Sequence, residues 1–209
     1  MKKISLLIIA FLSIHSTYAQ RNLFKNSYNE YEDFGLTEEE VTSYKSEGSL
    51  SIFNIEKHKT KLAKKLFEKK TGRSFKQKTY EGKVQYKVIA EAENKHYRIN
   101  YLFFDGHKES YEDIEEKREK MIDLLDKDYK FESLARQYSM DLNKYKGGDS
   151  GWFKYGSVLP DFGNAITNPM YNANEVFRVD LPEVEWYYLV KKSHTAKDIK
   201  EILVLKTVE

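Results

Sequence analysis

Four glycines and a Trp-Phe pair lie close together between Ser139 and Phe162, and this segment constrains the fold more than any other. The glycines indicate a backbone that turns tightly or is closely approached by other groups; they stand at positions 147, 148, 151 and 156. Trp152 and Phe153 lie between them, so these turns carry large apolar rings. The pattern favours either a tight hairpin packed on a core or a polar loop beside an aromatic surface.

Residues 1–19 have the pattern of a secretory signal peptide. Two lysines precede an apolar run from Ile4 to Ile14, and a small-x-small cleavage pattern ends at Ala19. The run is short for a membrane span, although an uncleaved anchor is the alternative. We therefore expect export across the inner membrane, a mature chain that starts at Gln20, and no stable membrane insertion after cleavage.

Charge and cysteine content narrow the possible functions. The formal net charge is +2, and the two lysines of the leader account for this excess. A neutral mature chain argues against nucleic-acid binding, which needs a clustered basic surface. The chain has no cysteine, which excludes disulfides, thiol chemistry and the lipid-bearing cysteine of a bacterial lipoprotein. These features together predict a periplasmic protein.

The N-terminal region is predicted to contain helices and a strand. Thr37 to Glu40 forms a capping box for a short helix from Glu38 to about Ser46. An apolar stripe predicts a second helix over 54–70. Alternating residues predict a strand over 84–90, followed by a turn at 93–95.

Beyond this turn the pattern is strand, helix, helix, strand, helix, strand, strand. The strand after the turn is apolar on both faces, which is typical of a central strand covered on both sides. The predicted elements begin near Tyr97, Ser110, Phe131, Trp152, Pro160, Val176 and Trp186, and a last strand covers 202–207. Because these helices and strands are mixed, the fold class expected from the pattern alone is α+β.

Three motifs resemble the signature region of parvulin-type peptidyl-prolyl cis-trans isomerases. They read S-x-D, then G-G-D-x-G-W-F, then G-x-x-x-P-x-F, and the resemblance extends from Tyr97 to about Lys192. It implies an α+β fold with a small mixed β-sheet surrounded by helices. We expect a smaller N-terminal helical region over 20–92 and a parvulin-like isomerase domain over 93–209.

The resemblance also places the candidate catalytic residues. Asp141 falls where the family has Asp or Cys beside the prolyl amide. The two family histidine positions carry Tyr101 and Tyr187, because the histidines of this chain lie elsewhere. Either a hydrogen-bonded tyrosine pair supports Asp141 in place of the histidines, or the network is lost and the tyrosines fill the core.

The same resemblance implies a pocket for the proline ring. Phe162 falls at the family's aromatic position, Val158 where methionine is frequent, and Ser150 where leucine is usual. Trp152 and Phe153 form the adjoining aromatic surface. A polar Ser150 predicts a shallower pocket than the family's.

Isomerisation of an X-Pro bond needs no cofactor, metal or covalent step, because the transition state is a twisted amide. We therefore expect an isomerase that assists the folding of exported or envelope proteins, with unfolded or proline-containing polypeptides as clients. The alternative is a non-catalytic parvulin-fold chaperone or client-binding module. Members of the resembled family that read phosphate carry a basic loop after the first strand. Here that loop runs from Asp105 to Glu109 and is short and mixed in charge, so the resemblance implies no preference for phosphorylated clients. The sequence contains no motif that supports a hydrolase.

Overall fold

The computed structural model describes residues 28–80 and 82–208, and these divide into two compact units. The central unit comprises residues 97–195. The terminal unit comprises the described residues of 28–96 together with 196–208. This division differs from the expected single boundary between residues 92 and 93, because the last strand of the chain pairs inside the terminal unit. The predicted signal peptide at 1–19 lies outside the described residues.

The terminal unit is built around an antiparallel sheet. Its elements are α1 (Glu38–Glu47), β1 (Ser49–Asn54), α2 (Lys61–Phe67), β2 (Ser74–Thr79), β3 (Gly82–Tyr97) and the last strand, β8 (Lys197–Val208). The strand order is β1-β8-β3-β2. Leu66 of α2 packs on Val88, Ile202 and Val204, and all four are buried. The N-terminal region is therefore as much sheet as helix.

The predicted start of α1 is confirmed and that of α2 is wrong. Thr37 accepts a hydrogen bond from the main-chain nitrogen of Glu40, whose carboxylate accepts one from the nitrogen of Thr37. The predicted helix over 54–70 begins only after Thr60. Asn54 still belongs to β1, which pairs with β8. The Thr60 side chain then caps the helix by accepting a hydrogen bond from the main-chain nitrogen of Ala63.

The turn predicted at 93–95 is also wrong. β3 continues through these residues because β8 runs alongside them, with Glu93 opposite Lys200 and Lys95 opposite Asp198. Local composition signalled a turn, but pairing with a strand far along the chain keeps the segment extended.

The central unit contains a second antiparallel sheet, with three α-helices and one short strand around it. Its elements are β4 (Asn100–Asp105), α3 (Tyr111–Leu125), α4 (Phe131–Tyr138), β5 (Phe153–Lys154), α5 (Pro160–Thr167), β6 (Val176–Leu181) and β7 (Trp186–Lys191). The strand order β4-β7-β6 makes β7 the middle strand. β4 is buried on both faces as predicted, and its outer edge meets Asp149 rather than another long strand.

The two faces of this sheet carry separate apolar clusters. The site face, which includes Tyr101, Phe103 and Tyr188, packs against Phe162 and Ile166 of α5. The helix face packs against α3 and α4; its buried members are Leu102, Phe104, Ile114, Met121, Phe131, Leu134, Ala135 and Leu189. Because side chains alternate along a strand, each position of β4 and β7 belongs to one face.

No helix in the described parts of the chain combines the length and hydrophobicity needed to cross a bilayer.

Candidate active site

The side chain of Asp141 lies on the site face, just after α4 ends. It caps a short 3-10 helix from Leu142 to Lys146 and is only 4% exposed. Its Oδ1 atom accepts hydrogen bonds from the main-chain nitrogen of Asn143 and the hydroxyl of Ser139, both at 3.1 Å. Its Oδ2 atom accepts one from the hydroxyl of Tyr101 at 2.8 Å. Three donors therefore fix both carboxyl oxygens.

Ser139 links this carboxyl group to β4 through hydrogen bonds. Its hydroxyl accepts a hydrogen bond from the main-chain nitrogen of Phe103 at 3.0 Å while it donates to Asp141. The main-chain nitrogen of Met140 donates to the carbonyl of Phe103 at 2.9 Å. The S-x-D segment is thus held along the strand that carries Tyr101.

Burial sets the electrostatics of the cluster. It raises the pKa of Asp141, although hydrogen bonds from Tyr101 and Ser139 act in the opposite direction. Burial, and after it the charge of Asp141, raises the pKa of Tyr101 well above its ordinary value. Tyr101 is therefore a neutral phenol that donates to the carboxylate.

Asp141→Asn should make the protein more stable at neutral pH. A carboxyl whose pKa is higher in the folded state favours folding when protonated, and this contribution is lost as the pH rises through the folded pKa. Removing the ionisable group should therefore add stability at neutral pH, by about 0.5–2 kcal/mol, the gain that single stabilising substitutions commonly give. Thermal unfolding across the acidic to neutral range measures the difference, which should shrink towards acid.

Asp149→Asn is the matched control with the opposite sign. The hydrogen bond from Arg98 lowers the pKa of Asp149, so its contribution is present at neutral pH and lost as the pH falls through the folded pKa. This variant should lose stability at neutral pH. Parallel pH dependences of the two variants would contradict the assignment of Asp141 as a buried carboxyl with a raised pKa.

Gly148 brings the glycine-rich turn against β4. Its carbonyl accepts a hydrogen bond from the nitrogen of Tyr101 at 3.0 Å. Its φ is +77°, and a Cβ atom would lie 2.3 Å from the carbonyl oxygen of Tyr101. Only glycine combines this left-handed conformation with so close an approach. The turn therefore positions β4 relative to the Asp141 segment.

Gly148→Ala should lower the free energy of unfolding by roughly 3 kcal/mol, because backbone strain and a clash with backbone add together. Gly151→Ala is the matched control, since Gly151 has φ +65° but nothing within 4 Å of its Cβ position. It should cost only about 1 kcal/mol. Urea unfolding measures both; equal losses would show that the contact with Tyr101 contributes nothing.

Tyr187 does not lie beside Tyr101, so the first of the two alternatives, a hydrogen-bonded pair of these tyrosines, does not form. Its ring lies on the helix face, 5.2 Å from the ring of Tyr111 and 5.8 Å from the guanidinium of Arg118. Tyr188 takes the position on the site face, with its ring centroid 5.8 Å from that of Tyr101. Neighbouring residues of a strand lie on opposite faces of the sheet. An error of one residue along β7 therefore assigns Tyr187 to the face that Tyr188 occupies.

Three of the predicted pocket residues come together, but as a closed core. Phe162 and Val158 are each 1% exposed, and Phe153 is 5% exposed. The ring of Tyr188 meets that of Phe162 edge-on at 4.9 Å. In this conformation the side chains expected to contact a proline ring are covered by one another.

Ser150 and Trp152 are half-buried and are not members of this core cluster. The hydroxyl of Ser150 accepts a hydrogen bond from the nitrogen of Ile99 at 3.1 Å and donates to the carbonyl of Gly151 at 2.8 Å. The ring of Trp152 lies 6.0 Å from the guanidinium of Arg98. Ser150 thus binds backbone instead of presenting an apolar surface.

Sequence reasoning missed three residues of the cluster. Ser139 was contained in the S-x-D motif but was given no role. Tyr188 could be identified only by knowing which residues of β7 lie on the site face. Asn143 is 3% exposed, and a polar residue two positions after a capping Asp carries no signal of burial.

The family model described as the PPIC-type PPIASE domain matches residues 77–191, more than half of the 209-residue chain. This range contains Tyr101, Asp141 and Phe162. The match therefore covers all the residues of the candidate site.

Two curated relatives match shorter segments. Chaperone SurA of Thiobacillus denitrificans is 45% identical over 42 residues, which are 20% of this chain and 10% of that protein. Chaperone SurA of Bordetella pertussis is 35% identical over 72 residues, which are 33% of this chain and 14% of that protein. The chain thus spans a small part of the relatives it matches.

Solved structures with a similar region include PrsA from Bacillus subtilis, at 28% identity and a TM-score of 0.38, covering 48% of this chain and 35% of that one. The peptidylprolyl isomerase PrsA from Bacillus anthracis has 26% identity and a TM-score of 0.40, covering 51% and 44%.

Proposed function

This chain belongs to the PPIC-type PPIase domain family, and from that premise we propose that it isomerises X-Pro bonds of exported or envelope proteins and so assists their folding. The observation that carries the proposal is the carboxyl group of Asp141, held by Tyr101 and Ser139 within the matched residues. The predicted signal peptide supports a periplasmic site of action, with unfolded or proline-containing polypeptides as clients.

The chemistry that we propose for Asp141 is electrostatic. In a planar amide, resonance places partial negative charge on the carbonyl oxygen, and twisting the C–N bond removes part of it. A carboxylate beside that oxygen disfavours the planar forms more than the twisted one. Such a difference between ground and transition state is what lowers a barrier. Tyr101 and Ser139 serve as positioning residues, because they hold the carboxylate in place.

The proline ring would enter between Tyr188 and Phe162. Because both rings are buried and lie 4.9 Å apart, entry requires the ring of Tyr188 to move. Opening a packed aromatic contact costs free energy, which reduces the apparent affinity for the client. We therefore expect a weak and slow isomerase in comparison with one whose pocket is open.

A non-catalytic client-binding chaperone is the second candidate, and the burial of Phe162 and Val158 favours it. A protein whose proline pocket stays closed could still hold extended chains on other surfaces. Exposed aromatic side chains are available for this; among them are Tyr145, at 73%, and Tyr129, at 56%.

Refolding of a test protein limited by a cis-trans X-Pro step separates the two candidates. An isomerase increases the rate constant of the slow phase in proportion to its concentration. A chaperone increases the yield and suppresses light scattering without changing that rate constant. Acceleration at substoichiometric protein supports the proposal; improved yield at an unchanged rate would replace it with the second candidate.

A further inference from the structure

The hairpin formed by β2 and β3 lies in a strongly basic segment of the chain. Between Lys57 and Lys87 the sequence has twelve lysines and arginines against two glutamates, Glu68 and Glu81. The preceding residues 28–56 have eight acids against one lysine. The neutral total therefore hides an uneven distribution, and clustered charge of one sign attracts charged partners even where the net charge is near zero.

The lysines of this hairpin lie on one face of it. β2 and β3 pair with Lys78 directly opposite Lys83, and paired residues point to the same side of a sheet while successive residues alternate. The other face is the inner one, because Phe75 stacks there on Tyr86, with ring centroids 5.4 Å apart, in the apolar cluster of α2. The outer face carries four lysines, of which the first three are exposed: Lys76, Lys78, Lys83 and Lys87.

Two features at the tip of the hairpin are unfavourable in water. Lys78 and Lys83 lie directly opposite each other, and like charges in this arrangement destabilise a strand pair. Beyond them the chain turns through Tyr80, which is 96% exposed, more than any other large apolar side chain that the structure describes. A partner that offers negative charge beside an apolar layer accounts for both features.

We propose that the β2–β3 hairpin docks the protein on the surface of a bilayer that contains anionic phospholipids. The lysines of the outer face contact the lipid phosphates, because basic side chains near an anionic bilayer are attracted to it. Tyr80 lies at the boundary between head groups and acyl chains, where tyrosine is enriched because its ring is apolar and its hydroxyl polar.

A bilayer fits this hairpin better than other anionic partners do. Nucleic acid and acidic polypeptides offer charge but no apolar layer for an exposed ring at a hairpin tip. The export that the leader predicts also brings the chain to a membrane surface. The inference does not depend on the isomerase function, because it concerns where the protein acts and not what it catalyses.

Cosedimentation with vesicles of phosphatidylglycerol and phosphatidylcholine in equal amounts tests the inference. The protein is the mature chain, which lacks the apolar leader. Replacing Lys76, Lys78 and Lys83 together by glutamine should weaken binding about 100-fold, since each lysine near an anionic surface contributes about fivefold. Binding of the wild type should also weaken as salt is raised.

The matched control replaces Lys120, Lys127 and Lys130 together by glutamine. These lysines are exposed in the central unit, so the control removes the same charge from elsewhere and should bind like the wild type. Equal losses in the two triple variants, or equally tight binding to phosphatidylcholine alone, would overturn the inference.

A wild-type protein that does not bind the mixed vesicles would also overturn it. The lysines would then serve only to protect the edge strand β2 from pairing with other chains. Binding of polyglutamate without binding of vesicles would replace the bilayer by an acidic polypeptide, which contradicts the inference as well.

Urea unfolding without lipid separates docking from a structural role. Because Lys78 and Lys83 repel each other, the hairpin triple variant should keep or raise the unfolding midpoint. A lowered midpoint would attribute its lost binding to a damaged fold and overturn the inference.

Tryptophan fluorescence tests the position of the tip. The emission of Tyr80→Trp should shift to shorter wavelength when the mixed vesicles are added, because the ring enters a less polar layer. Tyr145→Trp is the control, since Tyr145 is 73% exposed in the central unit, and its emission should not shift. An unshifted spectrum of Tyr80→Trp, or equal shifts in both variants, would overturn the inference.

Discussion

Arg118→Ala should lower the free energy of unfolding by about 3 kcal/mol, the largest effect expected from a single residue outside the site. Arg118 of α3 has no exposed surface. Its Nη1 atom donates to Asp180 at 2.5 Å and to the carbonyl of Tyr188 at 3.2 Å, and its Nη2 atom bonds to Glu115. The substitution removes the packing of its long side chain and the bonds that join α3 to β6 and β7.

Arg178→Ala is the matched control for this prediction. Arg178 pairs with Glu115 and Glu119 on the same surface, but its side chain is 34% exposed. Solvent screens such a pair, so its loss should cost at most about 1 kcal/mol. Urea denaturation of both variants tests the comparison; an equal cost would mean that burial of Arg118 adds nothing to its ion pairs.

Asp141→Ala should reduce catalysed isomerisation about 100-fold, the effect typical of removing one preorganised electrostatic group from an active site. The variant loses the carboxylate that disfavours the planar amide, and it leaves Tyr101 without its acceptor. The rate of the proline-limited refolding phase at fixed protein concentration measures the loss.

Asp161→Ala is the control, because Asp161 is an exposed carboxylate in the first turn of α5. It removes the same charge from the same unit without touching the Asp141 cluster, so it should retain the activity of the wild type. Comparable losses in both variants would attribute the effect to net charge and not to the position of Asp141.

The sequence predicted those parts of the fold that depend on local chemistry. The capping box at Thr37, the start of α5 at Pro160 and the tight turn at Gly148 follow from residue types at fixed spacing. The segment that brings Asp141 to β4 followed from a family signature. These features need no knowledge of distant parts of the chain.

Features that depend on distant pairing were not predictable. β1 and the continuation of β3 exist because β8, from the end of the chain, pairs with both. The sequence did not show which residues of β7 lie on which face of the sheet. The segment W-Y-Y-L-V is apolar at every position, so no polar-apolar alternation distinguishes Tyr187 from Tyr188. Burial of Phe162 depends on the ring of Tyr188, and it could not be inferred while Tyr187 was assigned to that face.

Cis-trans exchange in a short Xaa-Pro peptide, measured by NMR with increasing amounts of the mature wild-type protein, tests the central claim most directly. An exchange rate that rises in proportion to protein concentration, at protein levels far below the peptide, is the result expected of an isomerase. An exchange rate that stays at the uncatalysed value across several Xaa residues would contradict the claim.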